Sequence, residues 1–199
     1  VSRAPEVALV LASASPRRKA LLQQIGVNFS VAPVDLDETP LPAETAVAYV
    51  ERLALAKARA CYASLAEKKP VLGSDTTVHL QGRILGKPDT EADAVDMLMQ
   101  LSGQWHEVLT AIALVDGEQS QTCVVTTEVQ FVTLTPEQCR AYWQTGEPKD
   151  KAGSYGIQGL GAVFVRQIRG SYSAVVGLPL AETAALLDNA GIQIWQQSV

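Results

Sequence analysis

The sequence predicts an α/β fold with a mixed sheet flanked by helices, and three observations carry that expectation. Short apolar runs of strand length interleave with segments of helical period in both halves of the chain. Turn residues join some neighbouring strands as hairpins, so the sheet is not purely parallel. At 199 residues and 47% hydrophobic, with no repeat, low-complexity tract or linker, the chain can bury a full core as a single domain spanning 1–199.

The first unit reads strand, turn, helix. Val7 to Ala12 is apolar and bounded by turn residues, as a strand buried on both faces would be. Ser15 and Pro16 form an N-cap and N1 pair, Leu21, Leu22 and Ile25 an apolar stripe, and Gly26 a C′ stop. A short strand at Phe29 to Ala32 leads into the acidic loop "VDLDETPLP". From about Pro42 to Glu67 the chain is alanine-rich, with Val47, Val50, Leu53 and Ala54 at helical spacing, so a long, closely packing helix follows.

"PVLGSDTTVHLQGRILGKP" reads as a strand, a bend at Gly73-Ser74-Asp75, and a hairpin turning near Gln81-Gly82. Thr90 caps a helix through Leu101, with Val95, Leu98 and Leu101 facing inward and Ser102-Gly103 ending it. Two extended segments, His106 to Val115 and Thr122 to Leu134, meet at the turn "DGEQ", and the second alternates as a half-exposed strand does. Thr135-Pro136-Glu137 opens another helix. After a glycine-rich stretch, Ala162 to Ile168 is a strand, and Pro179 to Ala190 a closing helix stopped by Gly191.

Charge and cysteine usage narrow the function. Sixteen Lys and Arg against 21 Asp and Glu leave a net charge of −5, which lacks the global footprint of a nucleic-acid binder. Any anion site must therefore be a local cluster. Cys61, Cys123 and Cys139 are far apart and leave one unpaired under any disulfide scheme, which reads as a reduced, cytoplasmic protein. The segment before Val7 has no signal-peptide pattern, no apolar run approaches a membrane span, and "NFS" at Asn28 is then a chance sequon.

"SASPRR", from Ser13, places hydroxyls and planar cations where a strand feeds a helix N-terminus, whose free N–H groups seat phosphate. The same residues also read as a plain cap with solvated arginines. It is neither a P-loop nor a dinucleotide fingerprint, and the spacing of "GIQGLG" makes that run a decoy explained by tight turning. "DLDETP" offers Asp35, Asp37 and Glu38 for a hard divalent cation, or merely a solvated loop. Asp75 in "GSDTTV" follows an apolar strand end, where it lines a cleft or closes an Asx-type turn. Lys57 and Lys87 are surface lysines taken singly, but with the arginines and carboxylates they supply what a metal-bound triphosphate needs. His79 and His106 have no metal spacing, no GxSxG elbow supports a serine triad, and the aromatics are not interleaved with basic residues.

In this order "SASPRR", "DET", "SDT", "GKP", "LSG", "DKAGSYGIQGLG" and "GSYSAVVGLPL" resemble the Maf family of nucleoside triphosphate pyrophosphatases, from about Val7 to Gly191. The resemblance implies an elongated mixed-sheet α/β fold similar to that of the inosine triphosphate pyrophosphatases, with a cleft between two lobes. It implies cleavage between the α and β phosphates, with Mg²⁺ or Mn²⁺, in a protein that is often a homodimer and binds neither nucleic acid nor membrane. Carried over by motif, Asp75 is the proton acceptor and joins Glu38 at the metal, while Ser13, Ser15, Arg18, Lys57 and Lys87 hold the triphosphate. Arg17, Thr76 and Gln158 match the branch that hydrolyses dTTP and UTP, including non-standard pyrimidine nucleotides, rather than the sister branch that prefers 7-methyl-GTP. Some members have an acidic residue in place of Gly86, which does not alter that choice. A nucleotide-binding regulator of septum formation, a role also attached to the family, is the alternative of another class.

Overall fold

The computed structural model describes residues 7–195, so the reading of the segment before Val7 lies outside the described residues. Seven strands form one mixed sheet in the order β2-β1-β3-β5-β6-β7, with β4 paired to β3. In sequence they are β1 (Leu9–Leu11), β2 (Phe29–Val31), β3 (Val71–Leu80), β4 (Arg83–Leu85), β5 (Trp105–Asp116), β6 (Gln119–Phe131) and β7 (Val165–Arg169). The helices are α1 (Pro16–Gln24), α2 (Ala46–Ser64), α3 (Glu91–Leu101), α4 (Pro136–Gln144), the short α5 (Tyr172–Val176) and α6 (Leu180–Asn189). The chain forms two compact units. The first comprises the described residues up to Asp75, Thr110–Val124 and those from Gly177 on; the second comprises Thr76–Leu109 and Val125–Val176.

In the first unit β1 is buried on both faces and pairs in parallel with β2 and β3. Ser15 caps α1 as its sequence position suggests, and Gly26 follows the helix at φ +68°. Helix α2 starts later than the alanine content implies. Ala43 turns at φ +59°, and the Thr45 hydroxyl accepts from the Ala48 N–H, so the cap decides the boundary. Its buried stripe is Val50, Leu53, Ala54, Lys57, Ala58 and Cys61, whereas Val47 faces solvent.

The expected bend at Gly73-Ser74-Asp75 does not occur: β3 runs unbroken through these residues. Gly73 is required by close approach, not by turning. A Cβ there would collide with the Ala54 carbonyl and lie 2.9 Å from the Ala58 nitrogen. The polar side chains that suggested a strand end instead find partners within the fold, as described below.

In the second unit β4 returns antiparallel on β3 after the turn at Gln81-Gly82. Capping boxes start α3 at Thr90 and α4 at Thr135. Ala94, Leu98 and Leu101 form the buried stripe of α3, with Val95 only half-buried. The strand expected from Ala162 begins at Val165, because Leu160–Phe164 is a 3₁₀ turn; β7 then pairs antiparallel with β6. His106 is buried edge-on against Phe131 and Tyr155, with ring centroids 4.9 and 5.5 Å away, and its Nε2 lies 2.8 Å from the Tyr155 hydroxyl. Burial pushes the imidazole pKa down to about 4.

Cys61, Cys123 and Cys139 are free thiols, and no described helix is long and apolar enough to cross a membrane.

Two outcomes follow from this packing. Gly73→Ala should cost about 2 kcal/mol of stability, read as a lower urea midpoint at unchanged m-value, because α2 must move off β3. His106 titrates near 6.5 when unfolded and about 4 when folded. The unfolded chain therefore binds more protons across that window, and stability falls as pH drops through it. The His106 share of the loss should be about 2 kcal/mol by pH 5, measured by urea unfolding against pH, and His106→Gln should flatten that slope.

Candidate functional site

Strand register brings the polar residues together. Leu11 pairs with Leu72, so the chain leaving β1 at Ala12 and Ser13 runs beside Gly73, Ser74 and Asp75 of β3. The Ala12 N–H donates to the Leu72 carbonyl at 2.9 Å, which continues the pairing past the end of β1. Carboxyl ends of parallel strands are where open α/β sheets bind ligands, since the loops and helix starts there leave backbone groups free.

At the start of α1 the two readings of "SASPRR" coincide. Ser15 Oγ accepts from the Arg18 N–H at 3.4 Å, which is the helix cap, but Arg18 is not simply solvated. Its Nη1 donates to Ser13 Oγ at 3.3 Å, and its Nε donates to the Gly177 carbonyl at 2.9 Å. That carbonyl also accepts from Ser74 Oγ at 3.0 Å, so it ties the guanidinium to β3. Burial lowers the Arg18 pKa, and the Asp75 carboxylate opposes the shift. Arg17, next to it on the helix, is half-buried.

Lys57 emerges from the buried stripe of α2 and supplies the charge that the acidic residues need. Its Nζ donates to Asp75 Oδ1 and to Glu38 Oε1, each at 2.6 Å. The Lys57 and Asp75 side chains are 11% and 9% exposed, and that of Glu38 is 37% exposed, so the cluster opens to solvent on the Glu38 side. Burial raises the Asp75 pKa against the pull of Lys57 and Arg18.

The acidic loop is held by residues that its composition did not single out. Tyr49 donates its hydroxyl to the Glu38 carbonyl at 2.9 Å, and burial together with the carboxylates of Asp75 and Glu38 pushes its pKa up to about 12. Arg52 grips the Glu44 carboxylate through Nε and Nη2 at 2.6 and 2.8 Å and donates to the Thr39 carbonyl at 3.2 Å. Tyr49 and Arg52 stand three apart on α2, the spacing that puts both on one side of a helix. Asp37 accepts from the Thr39 N–H at 2.9 Å and closes its own turn, and Asp35 is exposed. Glu38 is thus the loop acid that meets Lys57. Tyr49, Arg52, Ser74 and Gly177 are not among the expected site residues; the i,i+3 spacing after an acidic loop is the available signal for the first two.

Glu38 and Asp75 converge on a single atom, so their oxygens are already gathered. Among the described residues no group of three or more His, Cys, Asp or Glu is placed to hold a metal ion. Two carboxylates completed by water and phosphate oxygens are what Mg²⁺ or Mn²⁺ accepts, so the residues fit such an ion.

Thr76, Lys87 and Gln158 belong to the second unit. Thr76 follows Asp75 on β3, Lys87 is exposed in the loop after β4, and Gln158 is exposed in the turn between Gly156 and Gly161.

A family model described as Maf-like protein matches residues 8–190. The dTTP/UTP pyrophosphatase of Colwellia psychrerythraea is 58% identical over 187 residues, covering 92% of this chain and 88% of the relative. That of Vibrio vulnificus is 56% identical over 179 residues, covering 90% and 96%. Among solved structures, a HAM1 protein from Coxiella burnetii matches 92% of this chain and all of its own at TM-score 0.52 and 17% identity, a likeness of fold.

Removing the shared cation should expose how the cluster is balanced. Lys57→Met is expected to cost about 3 kcal/mol at neutral pH, because Asp75 is left as a buried charge that must stay unpaired or protonate. Combining it with Asp75→Asn should recover much of that loss. A double-mutant cycle by urea unfolding measures the coupling, and purely additive losses would contradict the arrangement.

Proposed function

The chain belongs to the Maf family, and on that ground we propose that it is a pyrophosphatase that hydrolyses dTTP and UTP to the monophosphate and pyrophosphate, with non-standard pyrimidine nucleotides in its range. The observation that carries the reading is the Lys57 ammonium held between Glu38 and Asp75, beside the capped start of α1 and the Arg18 guanidinium. Such a cluster joins phosphate-binding cations to carboxylates within a few ångströms. Mere anion binding has no use for the carboxylates.

In this reading Ser13, Ser15, the first N–H groups of α1, Arg18 and Lys57 hold the triphosphate, a role that the family motif also gives Lys87. These donors neutralise the charge that develops on the departing pyrophosphate. Asp75 takes a proton from the attacking water while the new P–O bond forms and the α–β bridging P–O bond breaks. Lys57 orients both carboxylates. A bound Mg²⁺ or Mn²⁺, held by Glu38 and Asp75, would add charge neutralisation on the phosphates. Arg17, Thr76 and Gln158 select the base; a glutamine amide offers both a donor and an acceptor to the edge of uracil or thymine.

Asp75→Asn is expected to fold normally and to lose about 10³-fold or more in turnover of dTTP with Mg²⁺. Wild-type turnover in that variant would remove Asp75 from its role. Comparing kcat/KM for UTP, dTTP and 7-methyl-GTP tests the substrate class: a preference for the methylated purine would favour the sister-branch reading. Tight nucleotide binding with no pyrophosphate released would favour a binding regulator.

A further inference from the structure

The "GIQGLG" turn that carries Gln158 is anchored by two side chains outside it. Glu147 opens the 3₁₀ turn Glu147–Asp150, just after α4, and points its carboxylate into the loop. Its Oε2 accepts from the Leu160 N–H at 2.8 Å, and its Oε1 accepts from the Gly161 N–H at 3.0 Å and from the Tyr142 hydroxyl at 2.7 Å. The Tyr142 oxygen in turn accepts from the Gly156 N–H at 3.1 Å. Backbone donors on both sides of Gln158 are therefore collected by one tyrosine–carboxylate pair.

The pair is built into the second unit from behind. Tyr142 is 5% exposed and packs edge-on against Phe164 at 5.0 Å, and Lys151 Nζ donates to the Glu147 carbonyl at 2.6 Å. Burial opposes ionisation of Glu147, but the bonds from Tyr142, Gly161 and Leu160 outweigh it and hold the carboxyl below its ordinary pKa.

The glycines have the matching reason. Gly159 sits at φ −107°, which any residue adopts, yet a Cβ there would collide with the Glu147 carboxylate, and one at Gly161 would lie 2.6 Å from the Tyr142 hydroxyl. The run turns tightly as expected, with the Gly159 N–H donating to the Gly156 carbonyl at 3.4 Å, and its glycines in addition permit close approach to the clamp. Gln158, Gly159 and Leu160 are themselves exposed, so a glutamine next to a glycine would otherwise be free to move.

We infer that Glu147 and Tyr142 are positioning residues that hold Gln158 where it selects the nucleotide base. The inference rests on the reading of Gln158 as a base-selecting residue. Preorganising the turn before substrate arrives removes the ordering cost from binding, so its loss falls on discrimination rather than on the phosphate chemistry.

The test compares the kcat/KM ratio of dTTP to dGTP in the wild type, Gln158→Ala, Glu147→Gln, Tyr142→Phe and Gly159→Ala, each with a thermal melt. Glu147→Gln, Tyr142→Phe and Gly159→Ala should each lower the ratio roughly tenfold, through a higher KM for dTTP at nearly unchanged kcat. Added to Gln158→Ala, they should cost little more, because they act through it. Tyr142→Phe keeps the ring in place and serves if the carboxylate variants fold poorly. A ratio that falls in Gln158→Ala but holds in the clamp variants would overturn the positioning role. So would an equal loss of activity on both nucleotides that tracks a lower melting temperature. A ratio unmoved by Gln158→Ala itself would overturn the reading of Gln158, and the inference with it.

Discussion

The site of the first unit depends on one ammonium shared by two carboxylates. Lys57 reaches from the buried face of α2 to Asp75 in β3 and Glu38 in the loop after β2, so three segments distant in sequence meet at its Nζ. Burying charge is costly unless every member is paired, and here the charges are paired with one another in a cluster that opens to solvent on the Glu38 side. Such a cluster holds itself together without substrate and still presents carboxylate oxygens to a cation. Its geometry is therefore set before any phosphate arrives.

Close packing is what makes that contact available. Gly73 lets α2 approach β3 until the Ala54 carbonyl and Ala58 nitrogen occupy the space of a Cβ. With a larger residue, Lys57 would stand off from Asp75. On the other flank the Gly177 carbonyl receives both Arg18 and Ser74, which fixes the guanidinium relative to the strand that carries Asp75. Backbone groups thus position the cations as much as side chains do. Within the second unit the same economy recurs at Glu147, whose carboxylate gathers N–H groups of a glycine-rich turn.

Local chemistry was legible in the residues. The caps at Ser15, Thr90 and Thr135 and the stops at Gly26 and Gly191 stand where side-chain oxygens and glycines placed them, because a cap is decided within about one helical turn. Boundaries that depended on distant partners were not. Ser74 and Asp75 looked like the end of a strand, yet β3 continues, since Gly177 and Lys57 satisfy them in the interior. Ala162 looked like a strand start, but Leu160–Phe164 is held as a 3₁₀ turn beside the Glu147 clamp.

By itself the sequence determined the interleaved α/β pattern, the cation-rich helix start at Ser15 and the family resemblance, all of which rest on local order and spacing. The tertiary structure alone decided which acid meets Lys57, that Asp37 closes its own turn, and that Gly73, Gly159 and Gly161 stand where a neighbouring group leaves no room for a Cβ. Each of those outcomes is a contact between residues far apart in the chain. Composition and periodicity carry no record of which distant partners will meet, because parallel register and helix packing set those distances only once the sheet is formed.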